Sequence, residues 1–404
     1  MKILVVHNSY QQQGGEYAAR ETEIGLLLQA GHHVVEFQRF NNEISGYSNL
    51  QKIRLGWQTT WSQQTLHEMR AVLRKESPEV VHFHNTLPLI SPSAYYACAE
   101  EGVPVVQTLH NYRLLCPAAT FLRDGQVCEE CIGRSVPWRA VAHACYRESR
   151  ASSAAVATML VVHRALQTWQ KKIDVYIALT EFARQKHIQG GLPAERIVVK
   201  PNSVYSDPGA KCGPGEYAIY IGRLSEEKGL RLLLEAWTVL AAPIPLLIVG
   251  DGPLRNHLAA EIAKRGLMHI SLTGHLANHK TLGLLQRARF LVLPSICYEG
   301  FPVTVAESYA SGIPVIASRH GALEEIVADG QTGMLFEPNN PRDLAEKALL
   351  AWRQGRTMQA MGRAARNEYE RKYQPSVNYE SLMRIYRHAA SMAEPPPLAM
   401  LASP

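Results

Sequence analysis

Twelve short runs rich in Val, Ile and Leu recur along this chain without in–out alternation, and each gap between them has room for a helix. In the first half they are ILVVH (3–7), HVVEF (33–37), EVVHFH (79–84), VPVVQTLH (103–110), VYIAL (175–179) and RIVVK (196–200). In the second half they are AIYIG (218–222), PLLIVG (245–250), HISLTG (269–274), RFLVLPS (289–295), IPVIAS (313–318) and GMLFEP (333–338). A strand reads this way when both of its faces are covered, as in a parallel sheet flanked by helices. Helical patterns fill the gaps. GGEYAARETEIGLLLQAG opens on Gly14–Gly15 and stops at Gly31, and Leu230, Leu233, Leu234 and Trp237 make a core stripe at helical spacing. Between the series, PNSVYSDPGAKCGPGEY (201–217) has three Pro, three Gly and no apolar period, the composition of a linker.

The expected fold class is therefore α/β: two Rossmann-like, doubly wound domains facing each other across a cleft, with ligands at the carboxyl ends of the strands. The expected divisions are 1–200 with a cysteine-bearing loop at 113–147, the linker 201–217, and a second domain at 218–374. A helix at 375–392 is expected to pack back on the first domain, with a frayed tail at 393–404.

Composition narrows the class. Of 404 residues 46% are apolar and 19% charged, ample for globular cores. The net charge of +6 is concentrated in residues 111–172, with nine Lys/Arg against four Asp/Glu. That excess suits an acidic partner or is a solvated surface, but it lacks the aromatic interleaving or motif of a nucleic-acid binder. No apolar stretch is long enough to span a bilayer. MKILVVHN reads as a strand, not a signal peptide, and seven cysteines without an export signal point to a reducing, cytoplasmic setting. Lys52, Arg54, Trp57 and Trp61 interleave basic and aromatic residues. They either rest at the cytoplasmic membrane face or pack inside the domain.

The densest chemistry lies in PSICYEGFPVTVAESYASGIPVIAS. Glu299 leaves a strand, Gly300–Phe301 turn, and Pro302 suits the first helical position, which places Val303, Thr304 and Glu307 on the helix. A helix N-terminus with unpaired amides suits a phosphate, and ionised carboxylates accept hydrogen bonds from sugar hydroxyls. In YIGRLSEEKG, Arg223 and Lys228 either clamp a diphosphate or form a surface pair. Gly250 sits in the tight turn GDGP, and Gly14–Gly15 make either an anion-tolerant loop or a plain turn. His110 ends a strand on the expected cleft side, and His84 and Asn85 end the neighbouring run. With Asn111 they are candidates for the acceptor side. His32, His33, His163 and His279 read as structural.

EGFPVTVAE, SGIPVIAS and the upstream GRLSEEKG, in this order, resemble the family 4 retaining glycosyltransferases of the GT-B fold. The resemblance covers essentially the whole chain. It implies a nucleotide-sugar donor held mainly in the C-terminal domain, with no cofactor or metal for catalysis. It also implies Glu307 on the ribose, Glu299 on the donor sugar, Arg223 and Lys228 on the diphosphate, Gly15 in the loop closing over it, and His110 at the reaction centre. Base recognition by backbone near Gly274–His275 follows in the same way. TLHNYRLLCP is similar to bacterial members of exopolysaccharide or O-antigen assembly, which act on glycan or lipid-linked acceptors. Many relatives carry Asp or Gly where Asn111 stands, so no catalytic role is carried over to it. Two rivals stay open: a nucleotide-sugar epimerase of the same fold, and a non-catalytic nucleotide-sugar or glycan binder.

Cys116, Cys128, Cys131 and Cys145 stand in the spacing C-x11-C-x2-C-x13-C. Four thiols in a reducing cell fit a structural zinc site, packing thiols, or redox or disulfide chemistry. FLRDGQVCEEC reads as a hairpin-like turn at Asp124–Gly125, unlike a thioredoxin-type helix start. His143 is a spare ligand. A staple here would hold a basic loop (Arg113, Arg123, Arg134, Arg139, Arg147) on the acceptor side.

Overall fold

A computed structural model describes residues 1–10, 14–211 and 213–393. The first sheet is built from β1 (Lys2–Ser9), β2 (His33–Phe40), β3 (Val80–Asn85) and β4 (Val105–Leu109). After a small hairpin of β5 (Leu122–Arg123) and β6 (Gln126–Val127), it is completed by β7 (Val175–Ala178) and β8 (Ile197–Val199). The second sheet holds β9 (Tyr217–Ile221), β10 (Leu246–Val249), β11 (Ile270–Gly274), β12 (Ala288–Leu293), β13 (Val315–Ser318) and β14 (Gly333–Phe336). The strand orders are β2-β1-β3-β4-β7-β8 and β11-β10-β9-β12-β13-β14, parallel throughout. Both are doubly wound, and the winding reverses between β1 and β3 and between β9 and β12. A crevice opens at the carboxyl ends of such a reversal.

The apolar runs are continuous because each sheet is covered twice. Leu4 and Val6 of β1 pack into one layer with Leu66, Met69 and Tyr95. Ile3 and Val5 pack into the opposite layer with Ile24, Leu27, Leu382, Met383 and Tyr386. The last three belong to the helix Pro375–Ala393, which crosses back from the second lobe to cover the first sheet. Of the expected tail, only Ala393 lies within the described residues. In the second lobe, Leu230, Leu233, Leu234 and Trp237 are all nearly inaccessible against Tyr220, Ile248 and Phe290. Each such side chain contributes roughly 1.5–3 kcal/mol by leaving water.

The helix Asn49–Thr60 packs only one face inward, with Gly56 close to Ala155. Leu50, Ile53 and Trp57 remain 79%, 63% and 72% exposed, at i, i+3 and i+7, so a fully packed helix is ruled out for this stretch. Trp61, just beyond it, does pack inward, edge-on to Tyr96 at 5.0 Å. No helix among the described residues is long and apolar enough to cross a membrane.

Candidate functional site

The reversal between β9 and β12 brings together two residues 71 positions apart in sequence. Lys228 ends the short helical turn after β9 and Glu299 follows β12. The Lys228 ammonium donates to both Glu299 oxygens at 2.7 and 2.9 Å, and the Ser295 hydroxyl donates to Oε1 at 2.5 Å. Burial alone would raise the Glu299 carboxyl, yet the ammonium holds it below its ordinary value. Burial would likewise lower Lys228, and the carboxylate more than offsets this, keeping the lysine charged. The result is a preformed cation at a crevice, its charge oriented by a fixed partner. Arg223, at the mouth of the same loop, is exposed and makes no ion pair among the described residues.

Immediately after Glu299 the chain turns into the helix Val303–Ala310. Pro302 is not its first helical residue: its extended backbone makes it the N-cap, and its carbonyl accepts from Val305 at 3.0 Å. No side chain caps this end, so amides of the first turn are available to an anion, with Thr304 half-buried beside them. Phe301 offers a ligand only its backbone. Its ring is buried against Tyr373 at 5.3 Å, and its carbonyl already accepts from Asn202. Glu307 is 9% exposed with one long hydrogen bond, from Asn278 at 3.4 Å, and burial raises its carboxyl above the ordinary value. A desolvated carboxylate with unused acceptor capacity suits hydroxyl donors.

Two glycines matter by shape. Gly250 has φ +142°, and a Cβ there would stand 1.9 Å from the Gly222 carbonyl oxygen. Only glycine lets the turn after β10 lie flat against the loop that leads to Arg223. At Gly300 a Cβ would stand 2.8 Å from the carbonyl oxygen of His110, so this turn touches the opposite lobe backbone to backbone. Tyr112 reinforces the contact, donating to the Glu299 carbonyl at 3.0 Å. Gly15 lies 3.7 Å, measured from an added Cβ, from Val303, and Gly14 faces open space. Gly274 is buried at the end of β11, and His275 beside it is exposed.

On the first lobe, His110 follows β4 and faces this turn. Burial, then the neighbouring His7, depress its pKa well below the usual value, so the ring is neutral. His84 and Asn85, expected as acceptor-side candidates, are both buried. His84 is buried behind His110, Nδ1 to Nε2 at 2.9 Å, with rings stacked 5.2 Å apart. That contact couples the tautomers of the two imidazoles. Asn85 turns inward, donating to the Asn8 carbonyl at 2.7 Å and accepting from the Leu87 amide at 3.1 Å. Asn111 does stand at the cleft, accepting from Arg113 N at 3.0 Å and reaching Glu16 at 3.5 Å.

Glu16 was not singled out from the sequence, because an acid in the first turn of a helix is explained by the helix dipole alone. In the fold its Oε1 has no hydrogen-bond partner among the described residues and lies 3.7 Å from His7 Nδ1. Burial pushes its carboxyl up to about 8, so near neutral pH it holds a proton and can donate as well as accept.

Behind His84 lies a buried network. Glu23 stands 3.6 Å from His84 and 3.8 Å from His82, and Lys200 reaches it at 2.7 Å. Glu23, His82 and His84 cluster closely enough to hold a metal, but the Lys200 ammonium takes Glu23 Oε1, while Oε2 has no hydrogen-bond partner among the described residues and faces the two imidazoles. Both His82 nitrogens are also bonded, to Tyr386 and Thr108 at 2.8 Å. It is a hydrogen-bond network. His163, expected to be structural, bonds Thr168 and the Thr60 carbonyl, each at 2.8 Å. The four cysteines together line one small cavity at the base of the β5–β6 hairpin, and His143 is exposed and does not line it.

Comparison with known proteins agrees with this arrangement. Residues 24–207 match the family Glycosyltransferase Family 4, and residues 207–368 match Glycosyl transferases group 1. A phosphatidyl-myo-inositol mannosyltransferase of Mycobacterium leprae is 30% identical over 244 residues, 58% of this chain and 64% of that protein. An O-antigen chain mannosyltransferase B of Escherichia coli is 26% identical over 51% of this chain and 60% of that protein. The matched segment thus spans less than two-thirds of the curated relatives' length. Among solved structures, sucrose-phosphate synthase from Thermosynechococcus elongatus has a TM-score of 0.73 at 18% identity, covering 97% of this chain and 99% of that one. The Anabaena protein HepE, solved with UDP and glucose, has a TM-score of 0.67 at 17% identity, covering 95% and 98%. Two consecutive family matches that together run from residue 24 to residue 368, on two facing doubly wound sheets, make this chain a member of the family 4 glycosyltransferases of the GT-B fold.

Proposed function

We propose that this protein transfers a hexose from a nucleotide-diphosphate sugar to a glycan or lipid-linked glycan, with retention of configuration, in cell-surface polysaccharide or glycolipid synthesis. The observation that carries the reading is the meeting of two strand ends. The Lys228–Glu299 pair and the uncapped helix at Val303 stand against neutral His110, with Gly300 and the His110 carbonyl in contact. The relatives named as mannosyltransferases support a sugar-transfer role, and HepE's complex with UDP supports a uridine donor among the choices.

In this reading Glu307 accepts from the ribose hydroxyls, and Lys228, Arg223 and the Val303–Thr304 amides hold the diphosphate. Glu299 is committed to Lys228 and Ser295, which makes it a poor covalent nucleophile. The acceptor oxygen instead attacks the sugar carbon from the face the diphosphate leaves. The carbon–phosphate-oxygen bond breaks as the new glycosidic bond forms, and the acceptor's proton passes to the departing phosphate. Lysine and arginine supply the positive charge that stabilises the leaving group, so the proposed reaction is metal-independent.

Thermal-shift screening of UDP- and GDP-sugars tests the donor site. The right donor at a hundredfold excess over its Kd stabilises the protein by about 2.7 kcal/mol, and Glu307→Ala should abolish the shift. Isomerised sugar formed from donor without acceptor, or no shift with any donor, would overturn the reading.

The exposed Leu50, Ile53 and Trp57, flanked by Lys52 and Arg54, support peripheral contact with an anionic membrane face. Wild-type protein should sediment with anionic vesicles and not with neutral ones, and Trp57→Glu should stay in the supernatant. Equal sedimentation of the two proteins would end this part of the proposal.

A further inference from the structure

The hairpin segment at 116–148 has almost no regular structure to hold it: two two-residue strands and the five-residue helix Trp138–Ala142. Its backbone is also unusual. Of the nine non-glycine residues with positive φ among the described residues, six fall here: Ala119, Phe121, Asp124, Ala144, Arg147 and Glu148. Left-handed backbone is unfavourable for residues with a Cβ and persists only where the surroundings over-determine it. The β5–β6 turn accounts for Asp124 and the first lobe's core holds Phe121, but no regular element holds Ala119, Ala144, Arg147 and Glu148.

What the segment does have is convergence. Cys116, Cys128, Cys131 and Cys145 come from different parts of the segment and line the same small cavity of about 20 Å³, together with Arg123, Glu130 and Arg139. None of the four is in a disulfide. We propose that these four cysteines form a tetrathiolate zinc site that locks the β5–β6 hairpin at the edge of the cleft. Zinc binding does not depend on the donor and acceptor reading above; its expected effect on turnover rests on that reading.

The donor set fits the ion. Four sulfur ligands, leaving no open coordination position, are the feature of structural zinc, with Zn–S distances of about 2.3 Å. No three of the sulfurs lie within 4.8 Å of one another, so binding requires the thiols to draw inward on a centre they already surround. Binding converts four thiols and one Zn²⁺ into a dianionic tetrathiolate and four released protons. Arg123 and Arg139, both on the cavity wall, are placed to balance that charge, and Glu130 bridges them at 2.8 and 2.9 Å.

The locked element reaches the site from outside. Phe121 lies 6.0 Å from Tyr298, the residue before Glu299, and 4.9 Å from Tyr112. Glu129 holds Lys186 at 2.6 Å, and Asn339 of the second lobe donates to the Gly125 carbonyl at 3.5 Å. A staple at these cysteines therefore sets the position of the first lobe's rim against the turn that carries Glu299.

Metal analysis of the full chain purified under reducing conditions should give about one zinc per chain. Displacement of zinc by Co²⁺ should give the intense visible and thiolate charge-transfer bands of a tetrahedral tetrathiolate site. Chelation should lower the melting temperature and expose four additional reactive thiols. Cys128→Ser should lose zinc stoichiometry and acceptor turnover while keeping the donor-induced thermal shift. If that variant fails to fold, the cobalt spectrum of the wild-type protein still decides. Protein that neither contains nor takes up zinc or cobalt overturns the proposal. Iron and sulfide in the cluster, or a disulfide between any two of the four, overturns it equally.

Discussion

Replacing Lys228 with alanine should lower kcat/KM for sugar transfer by roughly 10²–10³-fold, the usual cost of removing one preorganised charge from a developing anion. The ammonium already sits at the β9–β12 reversal, held by both Glu299 oxygens, so its orientation costs nothing at the moment of reaction. Its removal also leaves Glu299 with only Ser295 in a poorly solvated place, where burial pushes the carboxyl towards its neutral form. Lys228→Arg should recover only part of the loss, because a planar fork does not reproduce a point charge on the same stem. Lys228 is 27% exposed, so the fold should survive and the melting temperature should move little. Unchanged kcat/KM in Lys228→Ala would remove this residue from the diphosphate.

Lys200→Met should have the largest effect on stability, roughly 3–5 kcal/mol, the cost of stranding one partner of a buried ion pair. Lys200 is 1% exposed and joins three separate parts of the chain: the end of β8, Glu23 of the first helix at 2.7 Å, and Asn378 of the last helix at 3.1 Å. Denaturant unfolding would measure the loss. The double variant Glu23→Gln, Lys200→Met should recover part of it, since neither charge is then left alone. A loss below about 1 kcal/mol would show that the pair is solvated.

The histidines beside this network add a pH dependence. Burial lowers His82 to about 4 and, with Arg20 nearby, His7 to about 3. Between pH 6.5 and those values the unfolded chain binds the additional protons, so stability should fall as the solution is acidified through that window.

Much of the fold was legible because parallel strands covered on both faces leave continuous apolar runs, and each run marked here lies on a strand. The strand ends were legible for the same reason, which is why Lys228, Glu299 and His110 could be placed at a cleft. What a strand end does not reveal is which way its last side chains turn. Asn85 and His84 end β3, yet one folds inward to Asn8 and the other stands behind His110. Lys200 at the end of RIVVK was not singled out, because its partners lie 177 and 178 residues away. Glu16 was hidden differently: its position already had a sufficient local explanation, and only the packing of His7 beside it shows that the carboxyl is short of partners.

The return of the helix Pro375–Ala393 to the first lobe changes how the two lobes can move. The chain crosses between them twice, at the 201–217 segment and again just before Pro375. Two tethers at separate points leave a rocking motion about the line between them and oppose both sliding and full separation. The same wiring means that the first lobe is not a contiguous stretch of sequence. Cutting the chain after Lys372 would remove Leu382, Met383, Ile385, Tyr386 and Ala389 from the layer over Ile3, Val5, Val80, Val106 and Ile177, and leave part of an oily sheet face open to water.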